Sequence, residues 1–217
     1  MELDPSTIRW KIKNKPASLT RKEVDYLSDL IAQELGYQSP DKGSTLSHTT
    51  VKEKSVRTPT SDPYKDVYAR SPNQSTSIKP VFIMVHDSYG SHDGSKSWIL
   101  QRKSGVSYHW LIDALGNRTQ FVDNLKKAWH AGRSYFKGYN GLNSYAIGVA
   151  FWGNSHERTV NFKEIDSMAR LIIRLMKKYR IKRENIITHA QAAPNRKTDT
   201  SEKVMKKLNA RIDQLLK

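Results

Sequence analysis

Apolar residues recur along this chain with two different spacings, and each change of spacing marks a new element. Val24, Leu27, Ile31 and Leu35 repeat every three or four positions, which predicts a helix over residues 21–35. Thr20 and Glu23 stand three apart at its start, as in a capping box, and Gly36 follows as its stop. From residue 38 the spacing disappears. Ser, Thr, Pro and charged residues dominate up to residue 79, leaving little apolar area to offset the cost of ordering. These positions predict three regions: an N-terminal segment with one helix (1–37), a linker (38–79) and a folded domain (80–217). Tyr64 and Tyr68 are the points at which the linker is expected to adhere locally, and His48 is expected to face solvent.

Residues 80–86 form a short β-rich apolar run, which predicts a buried strand delivering His86 at its end. A helix is expected over residues 95–102. Residues 106–113 and 118–122 read as a hairpin turning at Gly116, and residues 144–152 as a further strand. Asn161 is placed to cap a long helix with the stripe Ile165, Met168, Ile172, Leu175 and Tyr179, and Lys177, Lys178 and Arg180 suit the negative end of its dipole. A strand at 185–188 and a helix from residue 201 carrying Val204, Leu208, Ile212 and Leu215 complete the pattern. Strands interleaved with helices predict an α/β domain, a mixed central sheet flanked by helices.

Composition narrows the chemistry. The 217 residues include no cysteine, so disulfides and thiolate metal sites are excluded, and any metal must be held by His, Asp or Glu. The net charge is +16, and residues 81–217 carry most of it, with 24 Lys and Arg against 11 Asp and Glu. Such a surface is drawn to polyanions, which include nucleic acid, anionic lipid and the bacterial wall. No nucleic-acid recognition motif accompanies the charge. No stretch approaches the roughly 20 apolar residues needed to span a bilayer. Residues 1–5 show no basic signal-peptide start, so the expectation is synthesis in the cytoplasm, with release by lysis or a dedicated export machine.

Residues 189–199 place an imidazole, an ammonium and a carboxylate (His189, Lys197 and Asp199) on one loop behind an apolar run. Imidazole and carboxylate are good zinc ligands, and catalytic zinc sites take three protein groups and leave one position open. With Pro194 and Arg196 between them, these residues resemble the end of the zinc-dependent N-acetylmuramoyl-L-alanine amidase family. That family includes phage amidase lysozymes, cytosolic muropeptide amidases and peptidoglycan recognition proteins. The resemblance continues through Phe82-Ile-Met-Val-His86, Ser107-Tyr-His-Trp-Leu-Ile-Asp113, Ala128-Trp-His-Ala-Gly132 and Asn143-Ser-Tyr-Ala-Ile-Gly-Val149, covering roughly residues 80–217.

The resemblance implies a Zn2+ held by His86, His189 and Asp199. It also implies catalytic roles for Lys197, as stabiliser of the oxyanion, and for Tyr108, as hydrogen-bond partner or proton donor. Trp129 and His130 are expected to contact substrate. His109, adjacent to Tyr108 on a strand, faces the other way and reads as a packing histidine; His92 and His156 read as loop histidines. One position departs from the cytosolic members, which carry a Glu as general base where this chain has Ala150; the phage lysozymes lack it too and use the tyrosine and lysine. The expected protein is a monomeric, zinc-dependent amidase cleaving the lactyl–L-alanine bond of bacterial peptidoglycan, as a phage-type endolysin or antibacterial effector. The alternatives are a cytosolic muropeptide-recycling amidase and a peptidoglycan-binding module without turnover.

Overall fold

A computed structural model describes residues 62–217; the helix expected at 21–35 and the first part of the expected linker lie outside the described residues. At the centre are β3 (Phe82–Asp87) and β9 (Ala146–Phe151), two fully buried parallel strands paired from Phe82↔Ala146 to Asp87↔Phe151. Their alternation sorts the residues onto two faces. Ile83, Val85, Ile147, Val149 and Phe151 pack under two helices, while Phe82, Met84, His86, Ala146 and Ala150 face the other way. With β1 (Asp66–Tyr68), β4 (Trp110–Ile112), β5 (Arg118–Gln120) and β10 (Ile186–Thr188) they form a six-stranded sheet ordered β1-β5-β4-β9-β3-β10. Only the β4–β5 pair is antiparallel, so the sheet is mixed, as the interleaved pattern predicts.

The expected elements are present with shifted ends. The first helix, α1 (His92–Ile99), starts earlier than expected because the Ser91 side chain accepts from the Gly94 amide and caps it, so His92 is helical. The turn between β4 and β5 holds Gly116 at φ +83°, a conformation that glycine adopts without steric cost. The long helix α2 (Phe162–Tyr179) starts at Asn161 with a reciprocal capping box to Glu164. Its stripe meets that of α4 (Glu202–Leu215), where Val204, Leu208 and Ile212 are buried. Short pieces also form: β6 (Lys126–Ala128), the β7–β8 ribbon (Tyr135–Phe136 with Tyr139–Asn140), and α3 (His189–Ala192). Among the described residues no helix is long and apolar enough to cross a membrane.

The expected linker boundary needs correction, because residues 62–79 belong to the folded unit. β1 lies parallel to β5, and β2 (Gln74–Ser77) lies antiparallel to β6. Polar contacts hold this segment where apolar ones are few. Arg118, 1% exposed, donates to Asp62 and Asp66 at 2.6 Å each and to the Tyr64 carbonyl at 3.1 Å. Buried Ser71 donates to the Ile99 carbonyl at 2.7 Å, and the Asn73 side-chain amide to those of Gln101 and Val106 at 2.9 and 3.0 Å. Tyr64 does adhere, through its hydroxyl to Asp166 at 3.0 Å, whereas Tyr68 stays 59% exposed.

Arg118→Leu should therefore destabilise the domain. Removing one partner of a buried ion pair costs about 3–5 kcal/mol, and carboxylates that keep some water put the loss near the lower end, about 3 kcal/mol. Asp62 and Asp66 are such carboxylates, 33% and 36% exposed. Urea denaturation measures the loss directly; a change below about 1 kcal/mol, the range of a surface pair, would return residues 62–79 to the status of an appendage.

Candidate active site

Parallel pairing sets the site. β3 and β10 run side by side with Val85 opposite Thr188, so the next residue of each, His86 and His189, emerges at the same level of the sheet's carboxyl edge. Thr188 then caps α3: its side chain accepts from the Gln191 amide, and Gln191 returns a bond to the Thr188 amide, which fixes the direction in which His189 leaves the strand. The loop after α3 brings back Asp199, whose carbonyl accepts from the Ala190 amide at 2.8 Å. All three side chains are buried.

Their ligating atoms converge. His86 Nδ1 lies 3.1 Å from His189 Nδ1 and 3.2 Å from Asp199 Oδ2, and the third edge, His189 Nδ1 to Asp199 Oδ2, is 3.3 Å. His189 Nε2 sits 3.1 Å from the Ala131 carbonyl, which can only accept, so the proton is on Nε2 and Nδ1 presents a lone pair to the cluster. Burial pushes His86 down to about 4, keeping its imidazole neutral. The second oxygen of Asp199 is buried without a hydrogen-bond partner among the described residues. Two imidazole nitrogens and one carboxylate oxygen facing a common point, with a spare buried oxygen beside them, fit a divalent cation.

A second buried carboxylate braces this cluster. Asp87 accepts from the Ser155 amide at 2.8 Å, the Ser155 hydroxyl at 2.6 Å and the Thr200 hydroxyl at 3.1 Å. It thereby ties the end of β3 to the residue after Asp199. Burial raises its pKa, and these bonds lower it in part. Nothing in the local sequence announces this brace, because its partners lie far along the chain.

A cleft of about 250 Å³ opens over the cluster, with Tyr108, Trp129, His130, His189, Lys197 and Asp199 in its walls. Tyr108 stacks at an angle on His86, ring centroids 5.2 Å apart, and its hydroxyl lies 3.4 Å from the Asp87 carbonyl. Burial, with Asp199 and Asp87 nearby, pushes this phenol well above its ordinary value, so it is a proton donor rather than a base. Lys197 borders the same space, and its charge helps to hold His86 neutral. Half-exposed Tyr89 and Trp98 line the mouth beside Trp129. Sequence reading missed both: Tyr89 sits in a loop at φ +62°, and Trp98 lies on a helix with no clear apolar stripe.

Other histidines differ in outcome. His109 is buried as a packing residue, accepting from the Gly148 amide and bonding the Lys126 carbonyl, both at 2.9 Å. His92 begins α1 rather than a loop, and His156 bonds the Thr198 carbonyl at 3.0 Å. His130 borders the cleft but is nearly buried beneath it. It is 7% exposed and commits both ring nitrogens to protein: Nδ1 lies 3.0 Å from His86 Nε2, and Nε2 lies 3.2 Å from the Ala146 carbonyl. Ala150 is the register partner of His86 and packs in the cluster that Tyr108 borders, so position 150 lies on the site's side of the sheet.

Fold and donor set together define a mixed α/β domain organised around a candidate mononuclear metal centre. The chain belongs to the N-acetylmuramoyl-L-alanine amidase family, whose model matches residues 76–202. It is similar to the 1,6-anhydro-N-acetylmuramyl-L-alanine amidase AmpD of Haemophilus influenzae, 38% identical over 95 residues that cover 43% of this chain and 51% of that protein. The chain spans about half the length of the curated relatives it matches. The crystal structure of a selenomethionine AmpD derivative superposes with a TM-score of 0.57 at 24% identity, covering 70% of this chain and 94% of that one. The amidase AmiD from E. coli, in complex with the substrate anhydro-N-acetylmuramic acid-L-Ala-D-γ-Glu-L-Lys, superposes with a TM-score of 0.53 at 24% identity, covering 61% and 59%. These likenesses carry the fold.

Proposed function

We propose that the protein is a zinc-dependent amidase that hydrolyses the bond between the lactyl group of N-acetylmuramic acid and L-alanine in bacterial peptidoglycan. The observation that carries this reading is the convergence of His86 Nδ1, His189 Nδ1 and Asp199 Oδ2 in a cleft that also contains Lys197 and Tyr108. His86, His189 and Asp199 would hold the Zn2+, which when bound supplies Lewis acidity to polarise the amide carbonyl and to acidify water near neutral pH.

The chain's own residues supply the rest. Lys197 places a fixed positive charge where the carbonyl oxygen gains negative charge, and such charges act most strongly in a site with little water. Tyr108 keeps its proton and offers it to the departing alanine nitrogen, a role its raised pKa favours over that of base. Trp129, with Trp98 and Tyr89, provides aromatic surface at the mouth for sugar or peptide. The carboxylates lining the cleft among the described residues are Asp87 and Asp199, both engaged, so no free carboxylate stands ready as a base.

The basic surface supports action on the wall polymer itself, as a phage-type endolysin or antibacterial effector released by lysis or export and working as a monomer. The AmiD substrate and the AmpD name support the other reading, a soluble anhydro-muropeptide in a recycling role. Mass spectrometry of digests of sacculi and of anhydro-muropeptide, with and without chelator, tests both. A metal-dependent release of intact stem peptides with a free alanine amine is expected from sacculi. Cleavage within the glycan or within the peptide would sink the amidase reading, and binding without release would leave a non-catalytic module.

Lys197→Ala should retain the metal and lose turnover by about 100- to 1,000-fold, the cost of one oxyanion partner. Unchanged turnover would make Lys197 a surface lysine. Ala150→Glu tests the missing base. A carboxylate beside His86 with an ordinary pKa near 4.3 stays ionised in mild acid, so activity should extend to lower pH than in the parent. A general base is worth about 100- to 10,000-fold, which bounds the gain from above. Identical pH–rate profiles at equal zinc occupancy would mean that position 150 does not act on the reacting water.

A further inference from the structure

We infer that His130 is a positioning residue that fixes the tautomer of His86 in which Nδ1 is free to bind a metal, and that Gly148 provides the space that seats it. This rests on the metal-site reading above and adds to it an imidazole outside the three ligands.

Hydrogen-bond accounting leads to His130. Its Nε2 lies 3.2 Å from the Ala146 carbonyl, an atom that only accepts, so Nε2 carries the proton. An imidazole with its one proton on Nε2 has an acceptor at Nδ1. That acceptor lies 3.0 Å from His86 Nε2, which must donate. With its proton on Nε2, His86 turns the lone pair of Nδ1 toward His189 and Asp199. The opposite tautomer would aim an N–H at the metal position. His189 reaches the same state through the Ala131 carbonyl at 3.1 Å, so each ligand imidazole has its own anchor behind it. Anchors of this kind orient ligands and set their basicity, and losing one costs about 10- to 100-fold in metal affinity.

Gly148 explains how an imidazole reaches this position. It lies on β9 between Ala146 and Ala150, and a Cβ built on it would meet His130 Cγ at 2.6 Å and its Cδ2 and Nδ1 at 2.8 Å. The backbone of Gly148 is not in the left-handed region. Space, not conformation, is what requires glycine here. The Gly148 amide also donates to His109 Nδ1 at 2.9 Å, which occupies that ring and leaves His130 paired with His86 alone among the imidazoles.

Long-range 1H–15N correlation spectra of the metal-free, full-length protein at neutral pH read the tautomers directly. His86, His130 and His189 are each expected to be protonated at Nε2, and chelator competition then measures zinc affinity in three variants. His130→Leu removes the acceptor and should weaken zinc binding about 10- to 100-fold while His86 shifts toward the Nδ1-protonated form. His130→Asn keeps an oxygen near the Nδ1 position and should recover most of the affinity. Gly148→Ala leaves every ligand intact and should weaken binding by displacing the ring. A His86 protonated at Nδ1 in the parent, or a His130→Leu variant with parental affinity, overturns the inference. If His130→Leu does not fold, the Asn and Ala variants decide it by the same comparison. A parent that binds no zinc yet shows the Nε2 tautomer would reject the metal reading and leave the positioning of His86 by His130 standing.

Discussion

Three electron-pair donors pointing at one buried position repel one another unless a cation joins them, and much of the domain serves to hold that arrangement. The edges of the His86–His189–Asp199 triangle are all between 3.1 and 3.3 Å. Parallel pairing of β3 with β10 supplies two corners, since equal register brings both histidines out at one level. The third corner comes from a loop, and loops need bracing. Asp87 provides it by accepting from Ser155 and Thr200, while the Asp199 carbonyl receives the Ala190 amide.

The two faces of the sheet divide the work. One is covered by α2 and α4 through Ile165, Met168, Ile172, Leu208 and Ile212, an apolar layer packed against β3 and β9. The other carries small residues on β9 (Ala146, Gly148 and Ala150), which leave room for imidazole and phenol rings above the strand. The core thus stabilises on one side and yields space on the other. Metal sites are most precise when their ligands stand on regular elements, and two of the three ligands here leave directly from strand ends.

Much of this was legible in the residues. β3, β9, α2 and α4 stand out by period and by caps such as Asn161, because burial on one face writes itself into spacing. The motif resemblance picked out His86, His189 and Asp199, and the structure brings these together. Residues 62–79 were not legible: β1 and β2 are short and largely exposed, and what docks the segment is the buried Arg118 meeting Asp62 and Asp66, a pairing across more than 50 positions. His130 was recognisable as part of a motif but not by depth. A local pattern does not show that a ring bordering the cleft also meets a ligand from behind, which here follows from the Ala146 carbonyl and the space at Gly148.

The central claim is that the converging donors form a zinc centre with two imidazoles, one carboxylate and an open position. X-ray absorption spectroscopy of the protein loaded with one equivalent of zinc addresses it most directly. The account predicts a four-coordinate site with two imidazole shells at about 2.0–2.1 Å and the remaining distances those of oxygen, about 2.0–2.2 Å. A third imidazole would show that His130 binds the metal instead of positioning His86. A six-oxygen shell with no imidazole would show that the ion sits elsewhere, and would contradict the account.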